Sequence, residues 1–135
     1  MIYDILENKL IAGGFVAGES LFRNHMPAAC TVGVMVRGPV SGIPIDPYLP
    51  DYYRGKMQVI VRHKDPDEGN RVSAQVQKLL RVDVRELYPA SAERGEAHLD
   101  QFLPDTMPIF FPRLDGNGYE WSQHFDCAFG MKSVV

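Results

Sequence analysis

The sequence predicts an α+β fold: a mostly antiparallel sheet with two main helices packed on it and a long loop between the first two strands. Three observations carry that expectation. Apolar residues recur at helical spacing in two stretches, several other stretches alternate apolar and polar residues as half-buried strands do, and an Asp-Gly-Asn-Gly run joins two of the alternating stretches. At 135 residues, of which 45% are hydrophobic and 23% charged, the chain can build one ordinary core, so residues 1–135 are read as one domain.

Ile2, Ile5, Leu6 and Leu10 share one helical face, with Asp4, Glu7 and Lys9 between them, so the first ten or twelve residues read as an amphipathic helix that Gly13-Gly14 stops. Leu21-Phe22 is apolar enough to pack under the domain, and Arg23-Asn24-His25 reads as a surface turn. Cys30, Val32, Val34 and Val36 alternate with Thr31, Gly33, Met35 and Arg37, which predicts a first strand. A second is predicted at Lys56 to His63, with Met57, Val59 and Val61 on one face. Between them, Gly38 to Gly55 carries Pro39, Pro44, Pro47 and Pro50 together with Ile43, Ile45, Tyr48, Leu49, Tyr52 and Tyr53. A loop that long and that apolar is read as functional, stiffened by its prolines.

Asp65 and Pro66 suit the N-cap and first position of a second helix, and Asp67 and Glu68 suit its positive first turn. Val72, Val76, Leu79 and Leu80 form its buried stripe. Beyond it, Val82, Val84 and Leu87 fit either a short strand or a fraying helix end, Pro89 to Glu96 reads as a polar loop, and Leu99, Phe102 and Leu103 lead into Pro104 and Pro108. Ile109 to Leu114 reads as a strand whose Pro112 belongs on an edge. Asp115 to Gly118 is a hairpin signal, and Tyr119, Trp121, Gln123, Phe125, Cys127 and Phe129 mark the aromatic face of a long return strand.

Charge and composition exclude several classes. Fourteen Lys+Arg against seventeen Asp+Glu give a net charge of −3, unlike a protein built to grip nucleic acid. No apolar run approaches the ~20 residues of a membrane span, and Asp4, Glu7 and Lys9 are unlike a secretory signal, so a soluble intracellular protein is expected. Cys30 and Cys127 belong to no metal-binding or redox spacing and are expected as buried, unpaired thiols.

A search for chemistry returns no signature. His25, His63, His98 and His124 form no HxH or HExxH pair, so no metal site is expected. The Gly38-Pro39-Val40-Ser41-Gly42 run is not a nucleophile elbow, Gly13 to Gly18 is not a nucleotide fingerprint, and Asp115, Asn117 and Glu120 lack the rest of a calcium loop. Helix capping accounts for Asp65, Asp67 and Glu68. No catalytic residue, cofactor or metal is expected, and the chain is not read as an enzyme.

One pattern is familiar. Tyr52-Tyr53-Arg54-Gly55-Lys56-Met57-Gln58-Val59-Ile60-Val61-Arg62, followed by the capped helix Asp67 to Leu80 and closed by Pro112-Arg113-Leu114-Asp115-Gly116-Asn117-Gly118-Tyr119-Glu120-Trp121-Ser122-Gln123-His124-Phe125, resembles the tail terminator proteins of long-tailed bacteriophages, often labelled minor capsid or minor tail proteins. The N-terminal helix and following strand also fit, Val82 to Pro108 matches least, and the 38–55 loop is long for the family.

The resemblance implies a structural subunit of the virion, assembled in the host cytoplasm and placed at the head-tail junction. Such a subunit forms a homohexameric ring, caps the tail tube, and presents a joining surface to the head-closure or connector protein, while DNA passes through without specific binding and no membrane takes part. A closed ring needs two different patches per subunit. Within that frame Ile45, Tyr48, Leu49, Tyr52, Tyr53 and Arg54 are the expected subunit or partner interface, because tyrosine supplies much contact area at little entropic cost; the alternative is that the tyrosines fold back on their own sheet as core. The alternatives are another junction protein, of the head-closure or tail-completion type, and a small ligand-binding or enzyme domain roofed by the loop.

Overall fold

The computed structural model describes residues 1–39, 41–113 and 118–132. Its elements are α1 (Tyr3–Ala12), β1 (Leu21–Arg23), β2 (Gly33–Arg37), β3 (Tyr52–His63), α2 (Pro66–Leu80), β4 (Glu86–Tyr88), β5 (Ala97–Pro104), β6 (Ile109–Pro112) and β7 (Tyr119–Met131). Seven strands form one sheet in the order β1-β2-β3-β7-β5-β4, with β6 also paired to β7. Every pairing is antiparallel except β1 with β2, so the α+β expectation holds.

Period-two alternation decides which face is buried. Met57, Val59 and Val61 of β3 lie opposite Phe125, Gln123 and Trp121 of β7, and Val34 and Val36 of β2 continue the same face. Both helices cover it: Ile5, Leu6 and Leu10 of α1 and Val76 and Leu80 of α2 join those strand residues in the main core. The other face mixes polar residues with a small cluster of Met26, Met35 and Ile60, with Phe22 and Cys30 against it.

The helix ends follow from local chemistry. Gly14 takes a φ of 104°, which glycine adopts without steric cost, and this lets the Phe15 N–H turn back to the Leu10 carbonyl at 3.1 Å and close α1. Asp65 caps α2, its carboxylate accepting from the Asp67 N–H at 3.0 Å. Of the predicted stripe, Val76 and Leu80 are fully buried and Val72 and Leu79 half-buried, while Gly69 and Ser73 complete the inner face. Gly69 is there because Trp121 is: a Cβ at that position would lie inside the indole ring.

Several boundaries differ from expectation. The first predicted strand begins at Gly33, and Cys30 lies outside it, half-buried, with its thiol donating to the Val32 carbonyl; Cys127 is buried, and both thiols are free. The second begins at Tyr52 and not Lys56, because Tyr52 to Gly55 complete a ladder with Gly130 to Cys127, so the connecting loop is 38–51. Arg23 belongs to the short parallel strand β1, and only Asn24, at φ 61°, turns. Residues 86–88 are a strand, while Val82 makes a lone bridge to Phe102.

Residues 97–104 form β5, where a lead-in was expected. The register slips between Leu99 and Gln101, so Leu99 and Phe102 both face the core although three positions apart, which hides the alternation. Pro112 ends β6 on its free edge, as expected. The Asp115-Gly116-Asn117 part of the hairpin signal lies outside the described residues, but its flanks close as a hairpin requires, with Pro112 opposite Tyr119 and the Arg113 N–H on the Gly118 carbonyl at 3.0 Å.

Candidate functional site

The loop between β2 and β3 holds itself with backbone turns. The Asp46 carboxylate accepts from the Tyr48 N–H at 2.9 Å, the Leu49 N–H bonds the Asp46 carbonyl at 3.0 Å, and the Tyr52 N–H bonds the Leu49 carbonyl at 3.3 Å. Pro44, Pro47 and Pro50 add fixed φ angles between these turns. Ile43 tucks inward over Gly55, where a side chain would meet it at 3.2 Å. The remaining apolar side chains point out: Ile45 is 78% exposed, Tyr48 90% and Leu49 50%.

The other predicted interface residues sit differently. Tyr53 packs against the core, its ring 5.3 Å from that of Phe129. Tyr52, on the opposite face of β3, stacks on His98 with centroids 6.2 Å apart. Arg54 is exposed on the polar sheet face, opposite Ala128, beside a depression of about 350 Å³ shared with Lys56, Gln101 and Asp126. Lys56 there bridges Asp105 at 2.5 Å and Asp126 at 3.0 Å, and the hydrogen bond to Asp105 holds the ammonium above and the carboxyl below their ordinary pKa values. The six residues thus divide into an outward tip, a core ring, a stacked ring and a surface cation.

Beside the loop lies a groove of about 690 Å³. Its floor is one cross-strand row, Tyr52, Gly130, His98 and Leu87, running over β3, β7, β5 and β4. Gly130 is required in that row, since a Cβ there would collide with the His98 ring that lies over it. The His98 Nδ1 is 2.9 Å from Asp100 Oδ1, and Arg85 grips the same carboxylate at 2.7 and 3.2 Å. Burial alone would raise the Asp100 pKa, but hydrogen bonds to Arg85 and His98 outweigh it and hold the carboxyl below its ordinary range. Tyr88 stands at the rim, its hydroxyl donating to Glu86, and burial followed by that bond pushes the phenol pKa upward.

The rim is fixed by a buried cation. Arg94, 4% exposed, pairs with Asp4 of α1 at 3.0 and 3.2 Å and donates to the carbonyls of Pro89 and Gly95 at 2.9 Å each, so the 89–96 segment is pinned to the helix. The expected polar loop therefore has a charged anchor inside it. Sequence reading missed the groove because its floor depends on β4 and the bulged β5. It also missed how exposed β6 is, with Met107, Ile109, Phe110 and Phe111 all open to solvent.

His25 is exposed, His63 accepts from the Asp65 N–H at 3.0 Å, His98 stacks under Tyr52, and His124 contacts Ser122 at 3.4 Å. Among the described residues no group of three or more His, Cys, Asp or Glu could hold a metal ion. Burial pushes the Cys127 thiol up to about 11, far from a reactive thiolate. Among the described residues no helix is long and apolar enough to cross a membrane.

The described surface presents two features beside each other, a stiff apolar tip and a preformed groove. Comparison with curated proteins and with solved structures returned no match. The profile of a family described as bacteriophage tail terminator protein matches residues 11–129, which takes in α2 and every strand save the last two residues of β7. With most of its length matched, the chain belongs to the bacteriophage tail terminator family, a family of structural proteins of the virion tail.

Proposed function

We propose that this chain is the subunit of a homohexameric ring that caps the phage tail tube at full length and offers the joining surface for the head-closure or connector protein, without catalytic activity. The observation that carries this reading, beyond family membership, is the outward tip of the 38–51 loop: Ile45, Tyr48 and Leu49 expose apolar area on a backbone already held by turns, so docking them costs little ordering entropy. Exposed apolar side chains grouped on a rigid segment mark interaction sites more often than isolated ones do. On the polar sheet face Lys56 is offset by Asp105 and Asp126 and Arg62 by Glu120 at 2.7 Å, so a duplex passing close to those two cations meets little net positive charge, with Arg54 an exposed cation beside them.

The reading is tested by sedimentation and negative-stain imaging of the purified chain over a wide concentration range, alone and with tail tube protein. Closed rings, or a stoichiometric cap on tube ends, are expected. A chain that stays monomeric at high concentration and leaves tube ends bare would falsify the proposal.

A further inference from the structure

We propose that the apolar surface of β6 receives the tip of the 38–51 loop from a neighbouring copy of this chain, with Tyr48 and Leu49 of one subunit packing on Met107, Ile109 and Phe110 of the next. The inference rests on the self-association proposed above and supplies the second, different patch that a ring requires.

Placement is the first support. The foot of the loop is held at one end of the long strand pair, where the Met131 N–H donates to the Asp51 carbonyl at 2.8 Å and Tyr52 lies opposite Gly130. Strand β6 lies at the other end, paired with Tyr119 to Ser122 of β7, about 25 Å or more along the strand at ~3.3 Å per residue. Tip and β6 are thus at opposite ends of the subunit. With an axis across the strands, a contact from one end to the far end of the next copy repeats head to tail and closes where the rotation fits.

The second support is area. Met107 is 82% exposed, Ile109 51%, Phe110 49% and Phe111 38%, against the similarly open Ile45, Tyr48 and Leu49 of the tip. At about 200 Å² for a large side chain, each patch leaves on the order of 400 Å² uncovered, as much as the largest patch of an ordinary monomer. Joined, the two bury on the order of 800 Å². That is the apolar centre of a contact whose polar rim brings it to the ~1,200 Å² at which specific interfaces begin.

The third support is the way β6 can be met. The Arg113 N–H bonds the Gly118 carbonyl at 3.0 Å, so in this antiparallel ladder Phe111 and Ile109 turn their backbone groups toward β7, and Phe110 and Pro112 turn theirs to the free edge. Proline has no N–H, which leaves Phe110 as the donor on that four-residue edge and makes strand addition poor. A partner must therefore be met by side chains. The loop suits this, because with Pro44, Pro47 and Pro50 it cannot add as a strand either, and proline-rich apolar segments pack on aromatic faces. Such a face is ready: the Phe110 ring stacks 5.3 Å from that of Tyr119 and lies 5.3 Å from that of the buried Trp121. Both halves are held in place before they meet, so little ordering opposes docking.

Complementation between two defective chains tests the assignment. One carries Tyr48→Ser and Leu49→Ser, with β6 intact; the other carries Met107→Glu and Ile109→Glu, with the loop intact, all at exposed positions. Under conditions where the unchanged chain forms rings, each variant alone is expected to sediment as a folded monomer. An equimolar mixture should give one-to-one heterodimers that grow no further, since only one good contact can form. Met107→Glu by itself should weaken association about tenfold and leave the melt of the monomer unchanged, which keeps a folding defect out of the result.

Rings from either variant alone overturn the assignment, though self-association stands. If rings of the β6 variant no longer cap tube ends, the tail tube protein is what β6 receives, and the assignment to a second copy falls. A mixture without heterodimers also overturns it. An unchanged chain that forms no ring, alone or on tube ends, overturns both readings.

Discussion

Two regions of this chain carry large apolar side chains and fold to opposite ends of the burial scale. Around Trp121, β7 presses its aromatic face into α2: the indole is 1% exposed, lies over Gly69, and donates to Asn70 Oδ1 at 2.7 Å. In the 38–51 loop, Ile45 and Tyr48 are largely exposed and Leu49 is half exposed. The difference lies in backbone periodicity. Alternation with a paired neighbour on each side turns every second side chain of β7 into the core, whereas a loop with a proline at every third position from Pro44 to Pro50 has neither strand nor helix period with which to aim its side chains inward. In β7 the period puts apolar residues in the core, whereas in the loop only Ile43 reaches it, tucked over Gly55, and Ile45, Tyr48 and Leu49 stay at the surface.

The comparison breaks most visibly at Trp121. Trp121→Ala empties the centre of the α2–β7 contact and is expected to cost about 3–5 kcal/mol, read from denaturant midpoints followed by circular dichroism. Phe125→Ala should fall in the same range, since that ring is fully buried and stacked on Phe102 at 4.6 Å. A loss below about 1 kcal/mol at either position would mean that the core is organised elsewhere.

Gly69→Ala probes the same contact from the helix side, and two effects oppose each other. Alanine in a helix gains about 1 kcal/mol over glycine, but the new methyl would lie inside the Trp121 ring, backed by a core with no room to yield. The clash is expected to win, leaving a net loss of about 1–3 kcal/mol. Trp121 is the only tryptophan, so its fluorescence reports the displacement directly.

Tyr53 and Tyr48 then make a matched pair drawn from one predicted site. Tyr53→Ser removes a half-buried ring from Phe129 and should cost about 2 kcal/mol, roughly half the loss expected for a fully buried aromatic ring. Its effect on assembly would be read through a damaged monomer, so Tyr53 is a poor probe of the interface and Tyr48 a good one.

Much of this was legible in the sequence, and the illegible parts share a cause. The alternation of β7, the stripe and cap of α2 and the apolar face of Met57, Val59 and Val61 are local patterns, readable without knowing any partner. β5 was hidden because its bulge puts Leu99 and Phe102 on one face, and Tyr52 to Gly55 passed for loop because Gly55 leaves the inner face without a side chain until Ile43 covers it. Which of two adjacent tyrosines faces the core is set by ladder register, a long-range property. The groove was beyond reach for the same reason, since its floor is a row across four strands.

Acid should expose a smaller difference. Asp100 titrates below its ordinary 3.8 in the folded chain because hydrogen bonds to Arg85 and His98 outweigh its desolvation. A folded pKa below the unfolded one adds stability that is present above about pH 4 and is lost as pH falls through the folded value. Arg85 is largely exposed, so the amount should be a few tenths of a kcal/mol. Asp100→Asn should flatten the urea midpoint against pH below 4 by that amount, and an unchanged slope would show that the pair contributes nothing.

Tyr48→Ser combined with Leu49→Ser should have the smallest effect of all on the isolated subunit, within about 0.5 kcal/mol of the unchanged chain. The turns at this point are made by the Asp46 carboxylate and by main-chain carbonyls, none of which the substitutions remove, and Tyr48 at 90% exposure has little packing to lose. Melting of the variant at a concentration where both chains are monomeric is the measurement, and a loss above about 1 kcal/mol would show that the tip folds back onto its own sheet. An unchanged melt together with lost association separates the two regions completely: aromatic side chains at Trp121 hold the subunit together, and those at Tyr48 hold nothing until a second subunit is present.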